Sequence, residues 1–241
     1  MRKFLILIPI VAIVVCLAAY LRFASVLPAS GEMDALQNVR PVSLCSDSAG
    51  FPGLARNVSQ ISKGKSGYFE KDEFAGRYAT RDIFINDWYG KHLKAMGEPS
   101  LIEVYEPENE VYRFLWLRTF HRPIVVRVER SLNSTKLVFV ELSGAGGYEP
   151  GSVVRKEERT IGDGQWCDFL TLLAKAGYWK LGDDYDDSGN DGAQWILEGV
   201  REGRYHLVDR WTPDDGDYRA ACIYLLNLSG IDTDKLGGDL Y

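Results

Sequence analysis

Apolar residues are continuous from Phe4 to Leu21, sparse from 22 to 67, and periodic from there to Leu228. Each regime predicts a different kind of structure. At a helical rise of 1.5 Å the uncharged run spans about 27 Å, close to the hydrocarbon thickness of a bilayer. Residues 22–67 are rich in Ser, Gly, Asn and Pro and read as a linker and irregular lead-in. Within them Ser59–Gly67 (SQISKGKSG) reads as a flexible basic loop. Residues 68–241 read as one globular domain, large enough to bury a core.

Inside that domain the period alternates between helical and strand-like. Asp82–Met96 (DIFINDWYGKHLKAM) reads as an amphipathic helix whose buried side carries Ile83, Trp88, Leu93 and Met96, with Gly97 and Pro99 ending it. Runs dense in Val, Ile, Leu, Phe, Tyr and Trp then predict strands at Ser100–Glu106, Val111–Phe120, Pro123–Arg130 and Lys136–Ser143. Ser152–Ile161 is more charged and suits a sheet edge. A second helix is predicted over Gln165–Ala176, closed by Gly177. A hairpin follows, Ala193–Val200 and Arg204–Thr212 around Arg201-Glu202-Gly203, and a third helix over Asp217–Leu228. The expected fold is α+β: a mainly antiparallel sheet of about six to seven strands, three helices on one of its faces, and an N-terminal transmembrane helix before them.

The first segment has two readings. A cleavable signal has a basic start, an apolar stretch of roughly 7–15 residues and small residues at −3 and −1 of the cut. The run from Phe4 to Leu21 is longer, and its cut sites are poor. Cleavage after Ala29 puts Leu27 at −3, and cleavage after Ala24 puts Arg22 there. An uncleaved anchor over 4–21 is therefore expected, with a cleaved signal as the alternative. Arg2 and Lys3 hold residues 1–3 as a cytoplasmic stub, so the domain is expected across the membrane.

Composition narrows the partners. Net charge is −6, and the part beyond Arg22 holds 25 basic against 34 acidic residues. An acidic domain without a basic stripe argues against nucleic acid and against lying flat on anionic lipid. Cys45, Cys167 and Cys222 lie beyond the apolar run, enough for one disulfide and one thiol in an oxidising compartment. Cys167 with Cys222 is the expected pair, with three free thiols as the alternative.

Several motifs carry little chemistry. Asp183–Gly192 (DDYDDSGNDG) places oxygen ligands at EF-hand spacing, but Trp195 stands where the bidentate Glu belongs. The Gly-rich Ser143–Gly151 is followed by strand-like residues rather than a helix, so it reads as a wide hairpin connection and not a phosphate loop. Ser62 and Lys65 have Ser-x-x-Lys spacing, but Gly64 and Gly67 place them on a loop rather than a helix N-terminus. His92 is expected on the solvated face of the first helix, and His121 in a basic turn. No metal site and no cofactor is expected.

The hairpin at 193–212 concentrates the candidate chemistry. Alternation puts Tyr205, Asp209 and Trp211 on one face and Arg204, His206 and Arg210 on the other. With Arg201-Glu202 as the turn pair, Glu198 lies opposite Tyr205 and Gln194 opposite Asp209. Two carboxylates among aromatics suit the binding of glycan or peptide, through Gln194, Tyr205, Arg210 and Trp211. They also suit acid–base hydrolysis by Glu198 and Asp209 with His206 nearby. The plainer alternative is a half-buried sheet whose polar side chains pair across strands.

Asp191–Pro213 (DGAQWILEGVREGRYHLVDRWTP) and Tyr112–Arg122 (YRFLWLRTFHR) resemble segments of uncharacterised bacterial membrane-anchored or exported proteins. The resemblance implies a bacterial envelope location and no activity. The expected protein is a single-pass inner-membrane module with its C-terminal domain in the periplasm or exterior. It would be a binding or accessory module partnered by the membrane and by an envelope protein or glycan. A metal-independent hydrolase is the rival.

Overall fold

Strands long enough to cross the core and nearly continuous in apolar residues need cover on both sides. The computed structural model of this chain, which describes Cys45 and residues 55–75, 79–103, 109–132, 134–182 and 191–241, gives them that cover. Its elements are β1 (Arg56–Asn57), α1 (Ala79–Met96), β2 (Glu110–Arg118), β3 (Ile124–Arg130), β4 (Thr135–Leu142), β5 (Val153–Ile161), α2 (Asp163–Ala176), β6 (Ala193–Arg201), β7 (Arg204–Trp211) and α3 (Asp217–Leu228). The strands form one seven-stranded antiparallel sheet in the order β1-β7-β6-β2-β3-β4-β5. The α+β class and the three helices are therefore as expected, while the predicted membrane helix over 4–21 lies outside the described residues. Among the described residues no helix is long and apolar enough to cross a membrane.

The helices do not share a face, contrary to expectation. One face packs Leu115, Leu117, Val125, Val140, Ile196 and Leu207 against α1 and the rings of Phe69, Phe74 and Tyr89. The other packs Phe114, Trp116, Val126, Phe139, Trp195 and Leu197 against α2 and α3. β2 and β6 are buried along almost their whole length, as strands covered on both faces require. Gly199 fits the crowding: a Cβ there would come within 2.8 Å of the Tyr112 ring.

Two further expectations change. Ser100–Glu103 forms a turn rather than the start of a strand; the rest of that predicted strand lies outside the described residues. Its place in the strand count is taken by β1, which pairs with β7 (Arg56↔Tyr205). Within the stretch read as a linker and irregular lead-in, Arg56–Asn57 thus join the sheet, and Val58 and Ile61 pack against the α1 layer. Asp82, in the first turn of α1, accepts from the amides of Asp72 (3.0 Å) and Phe74 (2.9 Å). Asn86 accepts from Ser66 Oγ at 2.6 Å. Gly64 approaches Asn86 so closely that a Cβ would sit 2.1 Å from its amide nitrogen.

The disulfide joins Cys45 to Cys167 on α2, across a sequence separation of 122. Among the described residues Cys222 is the free thiol, and it is buried. The expected Cys167–Cys222 pair is replaced because Cys222 points into the α2–α3 core, where burial pushes its thiol well above the ordinary range.

Candidate functional site

The hairpin that holds the sequence-predicted residues turns one step later than expected. Its tip is Glu202-Gly203, both left-handed (φ 48° and 72°), the requirement of a type I′ turn. Register moves by two residues: Glu198 faces Leu207, Ile196 faces Asp209 and Gln194 faces Trp211. A shift of two keeps every side chain on its expected face, so the predicted separation of Tyr205, Asp209 and Trp211 from His206 and Arg210 holds.

Glu198 is fully buried on the α1 face and closes an ionic network. Its Oε2 accepts from Arg113 Nε at 2.7 Å and lies 2.6 Å from Nη2, while its Oε1 accepts from the Tyr205 hydroxyl at 3.0 Å. Arg113, also buried, donates through Nη1 to the Pro99 carbonyl at 2.5 Å and stands 3.7 Å from Glu98. Glu98 accepts from Arg127 Nε at 2.9 Å. Burial raises the Glu198 pKa against the pull of Arg113. Burial also works against the Arg113 charge, but Glu198 and Glu98 outweigh it and raise that pKa. These carboxylates are spent on holding β2, β3, β6 and the turn after α1 together.

The remaining candidates do not converge with Glu198. Asp209 accepts from the Tyr89 hydroxyl at 2.8 Å, tying β7 to α1. His206 lies on the opposite sheet face, its ring 5.1 Å from that of Tyr178 and 6.0 Å from that of Trp179. Burial lowers its pKa to about 4, so the imidazole is neutral near pH 7. Gln194 is buried opposite Trp211, and Arg210 donates to the Gly182 carbonyl. The hairpin is thus largely a core element, with Glu198, Tyr205, Asp209 and Arg210 bonded within the fold. Two other histidines differ from or refine expectation: His92 is buried, with Nδ1 2.9 Å from the Trp88 carbonyl, and His121 meets the Tyr241 hydroxyl at 2.7 Å.

Exposed aromatic surface lies elsewhere, on the outer side of α1. The buried stripe of α1 is Asp82, Ile85, Tyr89, Leu93 and Met96, so Ile83 is half exposed rather than buried and Phe84 is 65% exposed. Phe84 and Trp88, one turn apart, hold their ring centroids 6.1 Å from each other. With Asp87, Lys91 and Gly147 they line an open groove of about 450 Å³, within the roughly 300–1,000 Å³ typical of ligand sites. Trp88 is fixed by its indole N–H, which donates to the Gly146 carbonyl at 3.0 Å.

The Gly-rich segment supports that ring. It forms the β4–β5 connection, as expected, and folds back so that Gly146 and Gly147 donate to the carbonyls of His121 (2.9 Å) and Thr119 (3.1 Å). Gly146 has no room for a side chain, since a Cβ would come within 2.6 Å of the Arg118 carbonyl oxygen. Beyond it Phe120 and Tyr148, both 58% exposed, stand 6.2 Å apart. Of the four residues expected on the buried side of this helix, Leu93 and Met96 lie in the core and Trp88 packs partly buried against it, while Ile83 is half exposed. Phe84, one turn before Trp88, is the exposed member of an i, i+4 aromatic pair, which was the available signal.

No protein-family model matches the chain, and no curated protein matches it. Among the described residues no group of three or more His, Cys, Asp or Glu is placed to hold a metal ion. The acidic loop considered for calcium lies, over 183–190, outside the described residues.

Proposed function

We propose that this chain is a membrane-tethered, extracytoplasmic binding or accessory module of a bacterial envelope, and that it makes contact through the groove on α1. The observation that carries the reading is a contrast between two sites. Glu198 is buried in an ion pair with Arg113 and the part-buried Asp209 is bonded to Tyr89, whereas the exposed Phe84 and the partly buried Trp88 line an open groove. Large exposed aromatics on an otherwise well-packed domain cost solubility and mark contact surfaces. The uncharged run from Phe4 to Leu21 supports the tether, and the Cys45–Cys167 disulfide supports an oxidising compartment. The hydrolase rival draws no support from the geometry, because His206 sits across the sheet from Glu198 and Asp209.

The test is affinity capture of the full chain from its native membrane. Phe84→Ser, on the surface, is expected to abolish recovery of the bound component while leaving the thermal midpoint unchanged. His206→Gln is expected to leave recovery intact. Recovery that is indifferent to Phe84→Ser would refute the groove as the contact site.

A further inference from the structure

The chemistry of the groove narrows its occupant, and this step rests on the binding reading above. We propose that the groove takes a neutral glycan, with a pyranose ring lying against Trp88 and Phe84 and its hydroxyls reaching Asp87 and Lys91. Four observations lead there.

The first is the ring platform. A sugar whose hydroxyls are equatorial carries C–H groups on both ring faces, and such a face packs on an aromatic one. Trp88 is held still by its bond to Gly146, and Phe84 leans over it at 41°. A preset platform loses little freedom when a ligand settles on it. A second exposed pair, Phe120 and Tyr148, flanks the bonded Thr119 and Gly147 in the chain, and Gly147 lines the groove, which suits a ligand of more than one ring.

Polar placement is the second observation. Asp87 and Lys91 are i and i+4 on α1, which puts an acceptor and a donor side by side on one helix face. Their present partners are solvent-exposed: Lys65 with Asp87 at 3.3 Å and Glu149 with Lys91 at 2.9 Å. Exposed pairs of this kind contribute little, so exchanging them for ligand hydroxyls costs little.

Charge is the third. The groove holds one carboxylate and one ammonium and so favours neither an anion nor a cation. A phosphate, an anionic headgroup or a basic peptide would each meet one repulsive partner.

The fourth observation weighs against a peptide strand. Peptides commonly dock by adding main-chain hydrogen bonds to a free edge. Here the Gly146 and Gly147 amides are bonded to His121 and Thr119, and the Gly146 carbonyl accepts from Trp88. What the groove leaves for a ligand is ring surface and side-chain polar groups, the combination a polyhydroxylated ring can satisfy.

The experiment titrates the detergent-solubilised full chain with β-1,4-linked neutral oligosaccharides, cellotetraose and tetra-N-acetylchitotetraose, following tryptophan fluorescence and calorimetry. Saturable binding is expected, weakened at least tenfold by Phe84→Ser and several-fold by Asp87→Asn. Phe120→Ser is expected to weaken tetrasaccharide more than disaccharide. Absence of saturable binding to either oligosaccharide would overturn the glycan inference, as would binding unaffected by Phe84→Ser and Asp87→Asn. If oligosaccharides fail to bind while Phe84→Ser still abolishes capture from membranes, the glycan inference falls and the groove reading stands. If capture too is indifferent to Phe84→Ser, both fall.

Discussion

Replacing Glu198 by Leu should unfold this domain far more readily than a surface substitution, because it strands a buried cation. Both side chains of the Glu198–Arg113 pair are completely inaccessible, and Glu198 accepts hydrogen bonds from Arg113 and Tyr205. After Glu198→Leu, Arg113 keeps the Pro99 carbonyl and a carboxylate 3.7 Å away on Glu98. Breaking one side of a buried pair costs about 3–5 kcal/mol, a large share of the 5–15 kcal/mol that holds a typical domain. For a domain of this size that is roughly a 10 °C fall in midpoint. Removing both charges, Arg113→Met with Glu198→Leu, leaves Glu98 with Arg127 at 2.9 Å and takes a partner only from two neutral groups, the Tyr205 hydroxyl and the Pro99 carbonyl. The double variant should therefore lose less than the sum of the singles by about 2 kcal/mol or more. Urea unfolding of the full chain, followed by far-ultraviolet circular dichroism, measures the cycle. A cost below about 1 kcal/mol for Glu198→Leu, or strict additivity of the two changes, would refute a structural role for the pair.

Three further outcomes follow from other parts of the fold. His206 has its pKa depressed from 6.5 to about 4, so its unfolded form protonates first as pH falls. Its contribution to stability is whole above pH 6.5 and is lost progressively down to pH 4, on the order of 3 kcal/mol. His206→Gln should flatten that part of the stability–pH curve, with His92, also lowered by burial, leaving a residual slope of the same sign. The Cys45–Cys167 bond closes a loop of 122 residues, worth about 5 kcal/mol on a chain-entropy model. Reduction or Cys45→Ala should lower the urea midpoint accordingly, and of Cys45, Cys167 and Cys222 only Cys222 should alkylate in unreduced, denatured protein. At the hairpin tip Glu202 holds φ 48°. Glu202→Asn should raise stability by about 0.5–1 kcal/mol and Gly203→Val should lower it by more, both read from thermal midpoints.

Strand positions were legible because alternation and β-branched density mark them locally. β2 to β7 begin and end within a few residues of their predicted limits. The layer arrangement was less so. Whether Phe114 and Leu115 face different helices depends on contacts far apart in sequence, and only the unbroken apolar character of EVYRFLWLR hinted at cover on both sides. Cys45 was misjudged for the same reason: its partner on α2 is remote in sequence, and spacing carries no record of it. Strand alternation already separated His206 from Asp209 in the hairpin, as the structure has it. The burial of Glu198 against Arg113 was not legible, because Arg113 lies 85 residues away in sequence. The groove was hidden because Trp88, though packed partly buried against the core as expected, also lines the groove beside the exposed Phe84.

The most direct measurement places a photo-crosslinking phenylalanine analogue at position 84 of the full chain in its native membrane. A second protein carries it at position 156 on the charged edge strand β5. The expected result is a discrete adduct from position 84, none from position 156, and loss of the first when Asp87→Asn is added. An adduct of equal yield from both positions, or from 156 alone, would contradict the account.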